Sequence, residues 1–273
     1  MIEYREVSQM ESSKVVVSEY RSIYERKGYV IFRSVIDHDL VNECSDHVAW
    51  LQAKHPDVRP EDLGHRFVTN DPFWIRLVGD DKLLDIAEQF IGPNIALFAS
   101  HYISKPPGDG KPVLWHQDGS YWPLEPMDVV TLWLAVDDST PENGCMRVIP
   151  RTHLTELKEL MESKPEDNNA LLKNMDPSFV EEFKAVDVVL KAGDVSVHHP
   201  NIIHGSKANL STIRRCGLTI RYIPTYTRIV SDKPWPSAFL LRGKAMAGVN
   251  EYLPFPEYRE KDHMRFRGCE GWN

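Results

Sequence analysis

Two hydrophobic periodicities divide the chain near Pro93. Before it, apolar residues recur at helical spacing. Leu40, Val41, Cys44, Val48 and Leu51 fall on one face of a helix that Asp37 can cap. An earlier helix runs toward Lys27, with Ser12 or Ser13 as its cap and Gly28 as its stop. The apolar run 29–32 between the two reads as a strand. Asp71-Pro72 supplies the N-cap and first position of a third helix, which Gly92-Pro93 closes.

After Pro93 short apolar runs take over, at 95–103, 113–115, 129–136, 145–149, 186–190, 195–198 and 218–223. Turn signals separate them, among them Pro107-Gly108-Asp109-Gly110, Glu142-Asn143-Gly144 and Ala192-Gly193-Asp194. The charged stretch 152–183 reads as a partly helical excursion. The tail from Lys233 is rich in Pro, Gly and aromatics and suits wrapping the core or covering a pocket. Helices first and strands later argue against a doubly wound sheet. The expectation is an α+β chain: a β-sandwich or barrel with helices packed outside. No repeat or linker interrupts it, so it reads as a single domain over 1–273. Its helical part covers about 1–92, the strand core about 93–232 and the tail about 233–273.

Composition narrows the class. Of 273 residues 42% are apolar and 26% charged, which supports a sizeable core. A net charge of −8 removes general affinity for nucleic acid or an anionic membrane, local basic pockets aside. No apolar run approaches the roughly 20 residues of a membrane helix, and the polar opening MIEYREVSQMESSK lacks a signal-peptide core. Cys44, Cys145, Cys216 and Cys269 are spread without a CxxC pair and read as reduced thiols of a cytoplasmic protein. No oligomeric state is read from the sequence.

The chemistry concentrates at Leu114-Trp-His-Gln-Asp-Gly-Ser120. Side chains two apart on a strand share a face, so His116 and Asp118 can present an imidazole and a carboxylate to one metal. A third ligand from elsewhere completes the 2-His-1-carboxylate triad of non-heme Fe(II), which leaves positions open. Spacing alone is weak evidence: eleven histidines and 40 acidic residues make about 1.6 His-x-Asp/Glu pairs by chance. Indeed His55-Pro56-Asp57 is a second such pair, at a helix end where it aims at nothing in common. Three histidines compete for the distal position: His198, His199 and His204. His204 is favoured because Gly205 allows close approach and Arg215 follows eleven residues on, where a β-hairpin could return its guanidinium toward the metal. His198 and His199 read as structural, one facing the core and one solvent. His153 reads as a capping or loop-packing residue.

These residues carry a resemblance. His116-Gln117-Asp118, His204-Gly205-Ser206, Asn209 and Arg215 resemble the signature of the phytanoyl-CoA dioxygenase family of Fe(II)/2-oxoglutarate oxygenases. Gly92-Pro93-Asn94, Lys105-Pro106-Pro107, Trp133, Asn143-Gly144-Cys145, Pro150 and His153 support it, from about Tyr29 to Tyr222. One departure is Arg151, where the family often has Gly. The resemblance implies a double-stranded β-helix (jelly-roll, cupin-like) core with flanking N-terminal helices. It implies Fe(II), the cosubstrate 2-oxoglutarate and O2, with succinate and CO2 as products. His116, Asp118 and His204 would hold the metal. Arg215 and Ser206 would take the far carboxylate of 2-oxoglutarate, with Trp133, His101, Thr131 and Arg66 as further cosubstrate contacts. Tyr121 and Trp122 would line the substrate side. Halogenating relatives lack the carboxylate that Asp118 supplies, so hydroxylation or desaturation is expected. The expected substrate is a small molecule, a secondary metabolite or modified amino acid. Two other classes share these ligands: a non-catalytic metal-binding jelly roll and a zinc hydrolase on the same scaffold.

Strand alternation separates two adjacent cations. Only one of Arg214 and Arg215 can point inward, and register from His204 together with the motif of the resembled family selects Arg215. Arg215→Ala should therefore weaken 2-oxoglutarate by about 3–5 kcal/mol, roughly a few hundred- to several thousand-fold, with Fe(II) binding retained. Arg214→Ala should change it far less. Titration of both variants with 2-oxoglutarate checks the register, and the reverse pattern would shift it by one residue.

Overall fold

The alternation after Pro93 builds two facing antiparallel sheets. In a computed structural model, which describes residues 19–272, a helix at 19–27 (α1) leads into β1 (Tyr29–Phe32). Helices α2 (His38–Lys54), α3 (Pro72–Val78) and α4 (Asp81–Ile91) follow. Then come β2 (Ile95–Lys105), β3 (Val113–His116), β4 (Leu124–Glu125), β5 (Val130–Ala135), β6 (Met146–Ile149), β7 (Leu160–Glu162) and β8 (Lys173–Met175). The last strands are β9 (Val186–Asp187), β10 (Val195–His198), β11 (Ile203–Ser206), β12 (Arg215–Pro224), β13 (Arg228–Ile229) and β14 (Phe239–Arg242). The larger sheet runs β1-β10-β5-β12-β2-β14, and the smaller runs β3-β11-β6-β9. This is the jelly roll that was expected.

Strands β5, β10 and β12 of the larger sheet are buried on both faces, and alternation assigns them. On β12, Cys216, Leu218, Ile220 and Tyr222 join the cluster formed with the helices, while Arg215, Gly217, Thr219 and Arg221 point between the sheets. On β5, Leu132 and Leu134 face the helices, and Trp133 and Ala135 meet Met146 and Val148 of the smaller sheet. Polar anchors fix the helical layer. Trp74 Nε1 donates to Ser100 Oγ at 3.2 Å, and the Tyr222 hydroxyl donates to the Val78 carbonyl at 2.6 Å. Because both partners of each bond are buried, losing one would strand the other without water.

Local signals behave as their chemistry dictates. Asp37 and Asp71 accept from Leu40 N and Trp74 N as N-caps. Gly28 and Gly92 take positive φ where their helices end. The third helix is in fact two: α3 ends at Gly79, and Asp80 caps α4. The excursion 152–183 holds no α-helix; it consists of 3₁₀ turns and the β7–β8 hairpin, with Pro165 and Pro177 at turn starts. The strand expected at 186–190 forms a ladder only over β9 and a single isolated bridge from Leu190 to Ser139, although Val188 and Leu190 are both buried. Arg151 adopts φ 73°, a left-handed conformation that glycine enters without penalty. The caps expected at Ser12 or Ser13 lie outside the described residues. The tail supplies edge strand β14 and packs Phe266 and Cys269 against the helical cluster.

The tightest approach between sheet and site is at Gly217. A Cβ there would overlap the indole of Trp133. Gly217→Ala should displace that ring and destabilise the protein by about 1–3 kcal/mol, the usual cost of overpacking. Urea unfolding followed by tryptophan fluorescence measures both effects, and an unchanged midpoint would refute the tight fit.

Candidate active site

β3 and β11 are neighbours in the smaller sheet, and His116 stands directly opposite His204 in their register. The two rings lie 4.1 Å apart between centroids. His116 Nδ1 bonds the Leu114 carbonyl at 2.8 Å, and His204 Nδ1 bonds the Ile202 carbonyl at 3.0 Å. Each carbonyl can only accept, so the ring protons sit on Nδ1 and both Nε2 lone pairs are left free. Asp118 follows in the 3₁₀ turn Asp118–Tyr121, its Oδ1 3.6 Å from His116 Nε2. One ligand atom from each of His116, Asp118 and His204 lies within 4.8 Å of the others, and all three residues are buried. This donor set fits a divalent transition metal with positions left open.

Electrostatics keep the donors in their ligating forms. Burial, reinforced by His116, pushes His204 well below the usual histidine range, so it stays neutral. Burial opposes ionisation of Asp118, yet Arg221, His116 and His198 hold its carboxyl well below the usual range. His198, expected to be structural, is buried beside this group. Its ring lies 4.9 Å from that of His204, and Nε2 is 3.7 Å from Asp118 Oδ2. Neither of its ring nitrogens has a hydrogen-bond partner among the described residues. His199 turns away toward Tyr24 and His153.

A cavity of about 310 Å³ lies between the sheets and opens onto the triad. At one end stand Arg215, Lys105 and Ser206. Arg215 Nη2 donates to the Gly144 carbonyl at 2.7 Å and to Ser206 Oγ at 3.3 Å, and its guanidinium lies 5.4 Å from the centre of the Trp133 ring. β11 and β12 belong to different sheets, so a crossover rather than the expected hairpin returns Arg215. Lys105 is opposite Arg215 in the β2–β12 register, and its Nζ donates to Ser206 Oγ at 2.7 Å and to the Lys207 carbonyl. Asn209 holds this corner by donating to the carbonyls of Lys105, Pro106 and Ile213. Arg214 faces the other way and forms a bidentate pair with Asp137 at 2.8 Å.

The remaining expected residues divide. Trp133, His101, Tyr121 and Trp122 line the cavity. The Tyr121 ring is 5.9 Å from that of His116. Thr131 is buried on the same inward face but does not line the cavity. Arg66 is a correction: it is exposed, stacked on Phe67, and its neighbour His65 reaches the cavity instead. The short 3₁₀ turn His65–Phe67 aims successive side chains apart, so one of the two must face outward. Lys105, His198, Thr219 and Arg221 also line the cavity and were not assigned to it from sequence. A signal existed for two of them, since stepping by two from Arg215 along its strand reaches Thr219 and Arg221.

The family model described as Phytanoyl-CoA dioxygenase (PhyH) matches residues 24–217. "Phytanoyl-CoA dioxygenase 1" of Oryza sativa subsp. japonica is 37% identical over 174 residues, 63% of this chain and 60% of that protein. A "Probable alpha-ketoglutarate-dependent hypophosphite dioxygenase" of Stutzerimonas stutzeri is 33% identical over 147 residues, 54% of this chain and 51% of that one. The match thus spans about half to three fifths of these relatives' lengths. Among solved structures, the non-heme monooxygenase ThoJ has the same fold, with a TM-score of 0.73 and 23% identity over 87% of this chain and 88% of that one. With a match from Tyr24 through Gly217, which contains all three candidate ligands, the chain belongs to the phytanoyl-CoA dioxygenase family.

Proposed function

We propose that this chain is an Fe(II)/2-oxoglutarate-dependent oxygenase that hydroxylates or desaturates a small molecule, forming succinate and CO2. The single observation that carries this reading is the convergence of two free Nε2 lone pairs and one carboxylate on a common point, both rings being locked by their own backbone carbonyls. His116, Asp118 and His204 would hold the iron. Iron and 2-oxoglutarate together supply the O2-activating chemistry when bound. The chain's own residues bind, orient and exclude water.

Arg215, Lys105 and Ser206 would receive the far carboxylate of the oxoacid. Neither basic group has a carboxylate within ion-pair distance among the described residues, so a bound anion would supply the counter-charge that Arg215 lacks and would favour the charged form of Lys105. Trp133 covers the Arg215 guanidinium and keeps water from it. The buried guanidinium of Arg215 beside Lys105 favours an oxygenase over a structural metal protein, which would need a closed coordination shell and no cosubstrate. It also weighs against a zinc hydrolase, which needs only water beside its metal. The small cavity suits a compact substrate, a secondary metabolite or modified amino acid. We assign 1–273 to one catalytic unit. The cysteines are buried and unpaired, which suits a reducing compartment such as the cytoplasm. No helix among the described residues is long and apolar enough to cross a membrane.

Two predictions follow from this arrangement. Burial, reinforced by Arg215, pushes Lys105 down to about 6, so near neutral pH it is uncharged in the fold and charged when unfolded. The unfolded chain binds the extra proton above about 6, so stability rises with pH from there toward the free lysine value. The slope for one such proton is at most about 1.4 kcal/mol per pH unit. Lys105→Met should remove that rise in urea melts between pH 6 and 9; an unchanged slope would mean Lys105 is charged in the fold. The oxygenase reading itself is tested without oxygen. Fe(II) and 2-oxoglutarate should produce a weak visible charge-transfer band, abolished in His116→Ala, Asp118→Ala and His204→Ala. A full-strength band in all three variants would refute the site.

A further inference from the structure

A second buried cation faces the cavity at the end remote from Arg215. Arg221 lies six residues further along β12 on the same inward face, about 20 Å by strand rise. Its side chain is 10% exposed. Nη1 donates to Thr219 Oγ1 at 2.8 Å and meets His101 Nδ1 at 3.3 Å. Nε has no hydrogen-bond partner among the described residues. The guanidinium carbon lies 5.1 Å from the centre of the Trp122 ring. Nη2 is 3.7 Å from Asp118 Oδ2, a carboxylate the triad already engages.

Three consequences follow from this geometry. A guanidinium only donates, so His101 Nδ1 must accept and the ring proton sits on Nε2. Burial, reinforced by Arg221, pushes His101 down to about 3, so the ring stays a neutral donor. The charges do not balance. A divalent metal, Asp118, a doubly charged oxoacid and Arg215 cancel, and Arg221 remains as a buried cation with no full counter-ion. Around it the wall is aromatic. Phe98 lies 5.8 Å from Trp122 and stacks on Trp235 at 5.0 Å between centroids. Trp235 Nε1 is fixed by the Phe98 carbonyl at 2.8 Å.

We propose that Arg221 and His101, backed by Trp122, form an oxyanion-recognition subsite for the substrate. The substrate is then a small molecule with a carboxylate or phosphonate head and a flat apolar body. The charge argument rests on the oxygenase reading; the subsite geometry does not. The anion docks on the guanidinium fork and the His101 Nε2–H, and the apolar body lies along Phe98 and Trp235. Arg215 and Arg221 thereby divide the work, one holding the cosubstrate and the other the molecule to be oxidised.

Calorimetry under nitrogen tests this on protein saturated with Fe(II) and 2-oxoglutarate. The probes are phenylacetate, phenylphosphonate and the uncharged phenylacetamide. At least one anion should bind, and the amide about tenfold or more weaker. The tighter anion identifies the head group. Arg221→Gln should weaken that anion about thirtyfold or more, as for loss of one partner of a buried charge pair. His101→Leu, which keeps the guanidinium, should weaken it several-fold and serves if the first variant does not fold. The same titration on metal-free Arg215→Gln protein reads the subsite without cosubstrate. Arg221-dependent anion binding there, with no charge-transfer band in the unaltered protein, would refute the oxygenase reading and support the subsite. Failure of both anions to bind, an amide as tight as the acids, or undiminished anion binding in both variants would each overturn the proposal.

Discussion

The pairing of β3 with β11 is the constraint on which the site depends. Antiparallel register sets His116 opposite His204, and opposed residues in such a pair stand about 5 Å apart. Neither ring can turn freely, because each Nδ1 is tied to the carbonyl two residues earlier in its own chain. Two short strands thus orient two nitrogen ligands toward one point. Asp118 joins them because the chain leaves β3 after His116 and turns at once into a 3₁₀ segment. A one-residue slip would send a histidine to the opposite face.

The larger sheet supplies the charge that the smaller sheet organises around. Its inward residues on β12 alternate along one row: Arg215, Gly217, Thr219 and Arg221. Gly217 is small because Trp133 occupies the space its side chain would need. Burying cations here is costly unless something compensates. Arg215 has a carbonyl and an aromatic face, Arg221 has a hydroxyl, an imidazole and a shared carboxylate, and Lys105 gives up its proton. The cavity is therefore a place where folding has accepted electrostatic cost, which an anionic ligand would relieve.

The outer layer makes that cost tolerable. Helices α2 to α4 and the tail bury one long apolar face of the larger sheet, from Leu51 and Trp74 through Leu218 and Tyr222 to Phe266. The hydrophobic contribution from this layer is large and sits on the face away from the cavity. The cavity side is freed for polar groups. The tail also closes the aromatic wall with Trp235, joining fold and pocket in one segment.

Much of this was legible along the chain. The switch from helical to alternating periodicity near Pro93, the caps at Asp37 and Asp71, and the runs that became β2, β5 and β10 all express local backbone preference. His116, Asp118 and Arg215 were recognisable because they belong to short motifs whose spacing states a geometry. Alternation said that only one of Arg214 and Arg215 points inward, and register with the family motif said which. What only the tertiary structure decided were matters of which distant strands meet. His198 read as one of two structural histidines, since nothing local says that β10 carries it next to Asp118. Arg66 read as a cavity residue because sequence proximity cannot say which side of a tight turn faces inward. Arg221 was passed over because its meaning comes from His101 and Trp122, which lie 120 and 99 positions away in the chain. Periodicity tells a side chain which face it takes; only packing of the two sheets tells it what waits there.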